Sequence, residues 1–305
     1  MDDDAVTLVL DPYPNYRRLA QEALALARDV LKHWPAVMTP QINDPLPWMI
    51  HSTLSRQTDR LEALLVLRDR SLDHVGAPFA RLGYEEVIWL AWFATAVRSD
   101  ERLDVFRTLV RADSGQRIRN QWAFLDEHEL ARFGFAPGAL ADLEPQLKEA
   151  EMEVAALWQR FDWGTGKPRS PLQLPSVYLV GKHLVAREGQ HGYLFASPSQ
   201  HVHFSPWRLW CSPARGAEGR IQPESDSLKR RESAFALGWV LNYLVNMLVL
   251  TVSWEPDLAR ALEAGRPHYR LVAKRISDDL DGIGLPPLIE AHELVASEPR
   301  GREGE

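Results

Sequence analysis

Two pairs of polar residues stand at the spacing that sets side chains on one helical face. Arg81 and Glu85 are four residues apart, and so are Ser199 and His203. Groups at i and i+4 lie one above the other on a helix, within hydrogen-bond reach. The chemistry such a set suits is acid/base work on a phosphate without a metal. His203 would move the proton, Ser199 would orient the imidazole, Arg81 would grip the anion with its planar fork, and Glu85 would hold Arg81. The competing reading makes Arg81–Glu85 an ordinary ion pair and Ser199–His203 part of a capped helix end.

Other histidines offer weaker patterns. Arg28 with His33 and Arg68 with His74 fit the Arg-x(4–6)-His spacing of helical ribonucleases of the HEPN class, where Arg holds phosphate and His moves a proton. With ten histidines and abundant arginine, chance matches to so short a pattern are expected. His201-Val202-His203 invites a metal reading, because paired imidazoles are common ligands. Ser197-Pro198-Ser199-Gln200 reads as a helix start, however, with Ser197 as N-cap and Gln200 completing a capping box. Residues two apart on a helix point about 200° away from each other, so the two imidazoles could share a metal only on extended backbone. No metal or cofactor is therefore assigned. There is no phosphate-binding loop, dinucleotide glycine fingerprint, HExxH or GxSxG in the chain. Trp207 and Trp210 lie in a Pro- and Gly-containing stretch that suits a protein partner.

These residues need elements to position them. Arg81 and Glu85 fall on a helix predicted from Pro78 to about Val97, whose second half, Val87 to Val97, is apolar on every face and must be buried all round. Before it, helices are predicted from Asn15 to about His33 and from Met49 to about Val75, joined by a stiff connector with Pro35, Pro40, Pro45 and Pro47. Ser99 or Asp100 caps a fourth helix, with a break expected near Asp113-Ser114-Gly115 and a resumption towards Trp122. Another covers about Ala139 to Phe161, kinked or begun at Pro145.

Residues 162–175 read as loop throughout and divide an N-terminal helical part, 1–161, from a C-terminal one, 176–296, packed on it. Ser176 caps a helix to about Glu188, and a short element follows around Tyr193 to Phe204. Ser205 to Ser227 is a second long irregular stretch. Ser233 to Trp254 carries no charge and would measure about 33 Å as a helix. That length could span a bilayer, but Asn242 and Asn246 lie one turn apart in mid-segment, which favours a helix buried inside the protein. Helical pieces follow at about Pro256 to Ala264, His268 to Leu280 and Leu285 to Val295, then a polar tail, 297–305. With no strand alternation and no solenoid repeat, the fold class is all-α: a multi-helix bundle around a buried apolar helix, with two long irregular loops.

Composition narrows the function classes. The sequence is 45% hydrophobic and 25% charged, enough apolar surface to order most of the chain. A net charge of -7 leaves no global positive field for nucleic acid, so RNA binding would need a local patch. One cysteine, Cys211, excludes an intramolecular disulfide and any cysteine-cluster metal site, and fits a reducing cytoplasm. The acidic start, MDDDAVTLVLDPYP, lacks the basic and apolar regions of an export signal.

Arg81-Leu82-Gly83-Tyr84-Glu85, with Trp89-Leu90 and Arg102-Leu103-Asp104-Val105-Phe106 after it, resembles the Arg-x-x-x-Glu helix of a bacterial helical family, domain of unknown function 5677. Ser176-Val177, Gly189, Tyr193 and Ser199-Gln200-His201-Val202-His203-Phe204-Ser205-Pro206 resemble that family's Tyr … Ser-x-x-x-His segment. The similarity runs from about Thr53 to Trp254. It implies an all-helical cytoplasmic bacterial protein with Arg81, Glu85, Ser199 and His203 at the family's polar positions. It implies no activity. Gly83 and the Trp-rich stretch after His203 depart from the family pattern. Two functions fit these observations: a metal-independent enzyme on a phosphate-bearing small molecule or RNA, and a non-enzymatic helical module that meets a protein partner through Trp207 to Trp210.

Overall fold

The computed structural model describes residues 13–34, 44–125, 127–132, 134, 138–163, 170–182, 184, 214–215, 221–222, 226–254, 256–265 and 267–285. It is an all-α protein. The helices are α1 (Tyr13–His33), α2 (Leu46–Asp69), α3 (Ala77–Ala96), α4 (Arg102–Phe124), α5 (Glu127–Arg132), α6 (Ala139–Arg160), α7 (Val177–Gly181), α8 (Asp226–Trp254), α9 (Pro256–Gly265) and α10 (Tyr269–Ile283). Two short 3-10 turns, Asp73–Gly76 and Ser99–Glu101, precede α3 and α4. Among the described residues the only strand pairing is the two-residue ladder of Ala214–Arg215 with Ile221–Gln222.

The chain forms two compact units. One comprises Met1–Thr39, Ile50–Val87 and Arg187–Glu305, the other Pro40–Met49 and Ile88–Ala186. In the first, α8 is the apolar helix expected from the sequence. The stretch Lys229–Leu250 is long and apolar enough to cross a membrane, and 72% of it is buried inside the protein. Phe235, Val240, Leu241, Leu244 and Leu248 are fully enclosed, while Asn242 and Asn246 keep partial access to solvent. α1 packs on α8, α9 and α10 with a stripe of Leu19, Ala20, Ala23, Ala27 and Val30, the spacing of one helical face.

In the second unit α4 and α6 run against each other. α6 supplies carboxylates and α4 guanidiniums: Arg111 reaches Glu149 at 2.6 Å and Glu153 at 2.7 Å, and Arg119 reaches Glu151 at 2.5 Å. Beneath this ladder an aromatic cluster closes the end of α6. Trp163 is buried, stacks on Phe161 at 5.4 Å between centroids and touches Trp92 at 5.2 Å.

Several boundaries differ from the periodicity reading, each for a local reason. α2 begins at Leu46, so Pro45 and Pro47 belong to the helix start and not to a free connector. Asp44 Oδ1 accepts the Leu46 N–H at 2.9 Å, and Pro47 sits in the first turn, where no donor is needed. α2 ends at Asp69, earlier than expected, because Ser71 takes φ +56 and the chain turns into the 3-10 segment. The break expected at Asp113-Ser114-Gly115 does not occur: α4 is continuous. Gly115 lies so close to Leu147 and Leu172 that a Cβ there would sit 2.9 Å from each, so packing outweighs glycine's weak helix propensity. α6 starts at Ala139 and carries Pro145 within it. Ser176 caps α7 as expected, accepting the Leu179 N–H at 3.4 Å. The Ser176 helix, expected to run to about Glu188, stops at Gly181, where the chain turns and the Leu184 N–H bonds back to the Gly181 carbonyl at 2.8 Å. Residues 286–295 of the expected Leu285–Val295 helix and the Tyr193–Phe204 element lie outside the described residues.

Candidate functional site

α3 places Arg81 and Glu85 on one face, and they bond directly, Arg81 Nε to Glu85 Oε1 at 2.9 Å. Both are partly buried. Ser199, His201, His203 and the stretch Trp207 to Trp210 lie outside the described residues. The described part of the proposed constellation is thus the Arg–Glu pair alone.

The neighbouring residue, Glu86, is the stronger polar centre of this unit, and the sequence reading did not single it out. Its carboxylate receives Arg60 as a two-pronged fork, with Nη1 at 2.5 Å from Oε2 and Nη2 at 2.7 Å from Oε1. Arg56 Nε adds a bond to Oε1 at 2.7 Å, and Gln57 Nε2 one to Oε2 at 3.0 Å. Gln57 is fully buried and also approaches the Gly83 carbonyl. A legible signal existed in Arg56 and Arg60, spaced i and i+4 on α2, opposite the Glu85-Glu86 dipeptide on α3. Which carboxylate they choose depends on how the two helices pack.

Gly83 explains its own place in the motif. A Cβ there would sit 2.7 Å from the Tyr243 ring and 3.0 Å from Gln57 Oε1, so only glycine lets α2, α3 and α8 approach this closely. Tyr84 beside it is buried, which pushes its phenol up to about 12. α8 also brings inside two residues with no apolar character, Glu232 and Ser233.

The arginines of the two ribonuclease-like matches face carboxylates. Arg28 bonds Glu62 at 2.6 Å, and Arg68 lies 3.8 Å from the buried Asp73. His33 Nδ1 lies 2.7 Å from the Asp29 carbonyl, its own preceding turn. Among the described residues no three His, Cys, Asp or Glu side chains gather as a metal site would require.

In the second unit a shallow depression of about 370 Å³ is lined by Asp113, Gln116, Ser170, Leu172, Gln173 and Leu174. Its polar groups are turned on one another: Ser170 Oγ donates to Gln116 Oε1 at 2.6 Å and Gln116 Nε2 donates to Asn120 at 2.8 Å.

Comparison with protein-family profiles, with curated proteins and with solved structures finds no match. The site must therefore be read from its own geometry.

A different feature of the second unit has the geometry of a binding surface. Trp48, in the first turn of α2, is 55% exposed and meets the edge of Phe106 on α4, with centroids 6.1 Å apart and planes at 89°. Its backbone is held from beneath. Asp44 caps the helix through Oδ1 and accepts Arg102 Nη1 through Oδ2 at 2.7 Å, and the largely buried Arg102 also donates to the Ala94 carbonyl at 3.2 Å. One acid and one guanidinium thus pin the start of α2 to the end of α3. The Met49 N–H to Pro45 carbonyl bond, 2.9 Å, completes the turn that carries the indole.

Proposed function

We propose that the chain is a non-enzymatic helical module that binds a protein partner, and that the polar cluster on α3 is structural. The observation that carries this reading is the rigidly mounted, exposed Trp48 over Phe106, with Val110 one turn further along α4. An exposed aromatic already resting against a neighbouring ring has less freedom to lose on association, and aromatic anchors supply much of the free energy of interfaces. The carboxylates and guanidiniums of α2 and α3 support the same reading. Glu86 accepts four bonds from three side chains, the pattern of a clamp holding two helices in register.

The test is photo-crosslinking in the native cell with a photoreactive side chain placed at position 110, followed by mass spectrometry. A discrete crosslinked protein, lost when Trp48→Ala is added, is the expected result. Absence of any crosslink, with the chain folded and abundant, overturns the reading.

A second reading keeps the Arg81–Glu85 bond as the anion-binding half of an enzyme on a phosphate-bearing substrate or RNA, with His203 as general acid/base and Ser199 orienting it. Purified protein incubated with labelled RNAs and nucleotides, with and without EDTA, discriminates. Turnover that survives EDTA and vanishes in His203→Ala favours the enzyme.

A further inference from the structure

Val110, Asp113 and Gln116 follow one another along α4 at intervals of three residues. Each such step falls about 60° short of a full helical turn, so the line drifts from the exposed Val110 side round the helix. It ends in the shallow depression that Asp113 and Gln116 line with Ser170, Leu172, Gln173 and Leu174.

The polarity of this lining is one-sided. No lysine or arginine is among the lining residues. Ser170 Oγ donates to Gln116 Oε1 at 2.6 Å, Gln116 Nε2 to Asn120 at 2.8 Å and the Gln173 N–H to the Ser170 carbonyl at 2.9 Å. These hydrogens are thus directed within the chain. The Ser170 hydroxyl and the Gln116 carbonyl each keep a lone pair, and the Asp113 carboxylate adds a full negative charge. Beside the acceptors stand the buried Leu172 and the half-buried Leu174.

Acceptors with one charge among them, next to an aliphatic wall, match lysine. Its ammonium has three donors and no acceptor, on a four-carbon stem that packs along apolar surface. An acidic or phosphorylated side chain would meet the Asp113 charge with no cation in the lining to offset it. At about 370 Å³ the shallow depression encloses too little of a free small molecule, which a ligand pocket buries almost completely. It suits a side chain delivered by a larger surface.

Asp113 already holds a cation of its own chain. Arg117 pairs with it at 2.8 Å one turn along α4, the two side chains being 78% and 54% exposed. An i,i+4 pair this exposed contributes little and opens at little cost, so an incoming ammonium can replace the guanidinium.

On the reading of the chain as an interaction module, we infer that the Asp113–Gln116–Ser170 depression receives a lysine side chain of the protein partner, beside the Trp48 and Val110 contact.

Two-dimensional NMR of the labelled full chain, titrated with Nα-acetyl-lysine methylamide, tests the site by itself. One side chain alone binds weakly, so saturable shifts of the Ser170 and Gln116 signals are expected with a dissociation constant on the order of 10 mM. Asp113→Asn keeps the shape, removes the charge and should weaken binding more than about fivefold. Arg117→Gln removes the resident competitor and should strengthen it about two- to fivefold. The same compound acetylated on its Nε should leave the signals in place. Circular dichroism of each variant separates loss of binding from loss of fold. Shifts that do not saturate, or that are indifferent to Asp113→Asn, overturn the inference. The crosslink from position 110 separates it from the reading beneath it. A crosslink lost in Trp48→Ala but at full yield in Asp113→Asn sinks the lysine site and leaves the module standing. No crosslink at all removes the partner, even where the lysine compound binds.

Discussion

Arg60 and Glu86 face each other fork to fork, and the carboxylate that Arg60 grips is shared with Arg56 and Gln57. Both partners are mostly buried, at 14% and 19% side-chain exposure. Removing one leaves the other inside without its counter-charge, which costs more than the pair contributes on balance. Glu86→Ala should lower unfolding free energy by about 1–3 kcal/mol in urea denaturation, discounted for the partial access of solvent. Arg60→Leu with Glu86→Leu should lose much less than the sum of the single changes. If the double variant is as unstable as the sum, the two residues are not a coupled clamp.

Gly83→Ala inverts the usual rule for helices. Alanine gains up to about 1 kcal/mol of intrinsic propensity over glycine. Here the added methyl would press on the Tyr243 ring at 2.7 Å. Overpacking against a ring held in the core should dominate, for a net loss of about 1–2 kcal/mol. A thermal melt at unchanged or higher midpoint would show that α8 can move aside.

Much of this architecture was legible in the residues. The α1 stripe, the Ser176 cap and the uncharged run of α8 each follow from local pattern, because burial and capping depend on a residue and its helical neighbours. The continuity of α4 through Gly115 was not legible, since what rescues that glycine is Leu147 and Leu172, distant in sequence. Arg81–Glu85 was readable as an i,i+4 pair and forms as one. Glu86 carries no signal within its own helix, because its partners Arg56, Gln57 and Arg60 all come from α2. Trp48 carried no periodic signal at all: the Asp44–Arg102 bond that mounts it joins residues 58 apart. Ser199 and His203, which the sequence placed at the centre of the chemistry, lie outside the described residues.

Acid should weaken the first unit in two steps. Burial holds the His51 imidazole, edge-on to Trp34, below its ordinary 6.5, so it folds neutral and must be deprotonated first. A depressed folded value means the stabilisation is present above about pH 6.5 and is lost as pH falls through the folded value. Glu22 is held below its ordinary 4.5 by the Arg275 hydrogen bond first, with Arg18 adding to it and partial burial opposing. It acts with the same sign but lower, being present above about pH 4.5 and lost beneath it. Denaturation midpoints across pH 8 to 4 should therefore fall first with His51 and then with Glu22, on the order of a few tenths of a kcal/mol for the exposed Glu22 network. His51→Gln should flatten the upper step only. A wild-type profile that is level between pH 7 and 5 rules out the histidine contribution.

Trp48 and Asp44 should separate binding from folding. Trp48 is more than half exposed, so Trp48→Ala gives up little burial and should change stability by no more than about 1 kcal/mol. Asp44 is the opposite case, because it both caps α2 and satisfies the largely buried Arg102. Asp44→Ala loses a cap worth about 1 kcal/mol and leaves a guanidinium short of its partner, for a total of about 2–3 kcal/mol. If the indole is the binding anchor, both substitutions should weaken association, but by different routes. Trp48→Ala should do so with a native melting curve. Asp44→Asn should keep the cap and lose only the ion pair, which loosens the turn that carries Trp48 and speeds dissociation more than it slows encounter. Surface plasmon resonance on the three variants, beside their thermal melts, reads these quantities together. Full-strength binding by a folded Trp48→Ala chain would remove the aromatic anchor from the account, and with it the reason for so stiff a mounting.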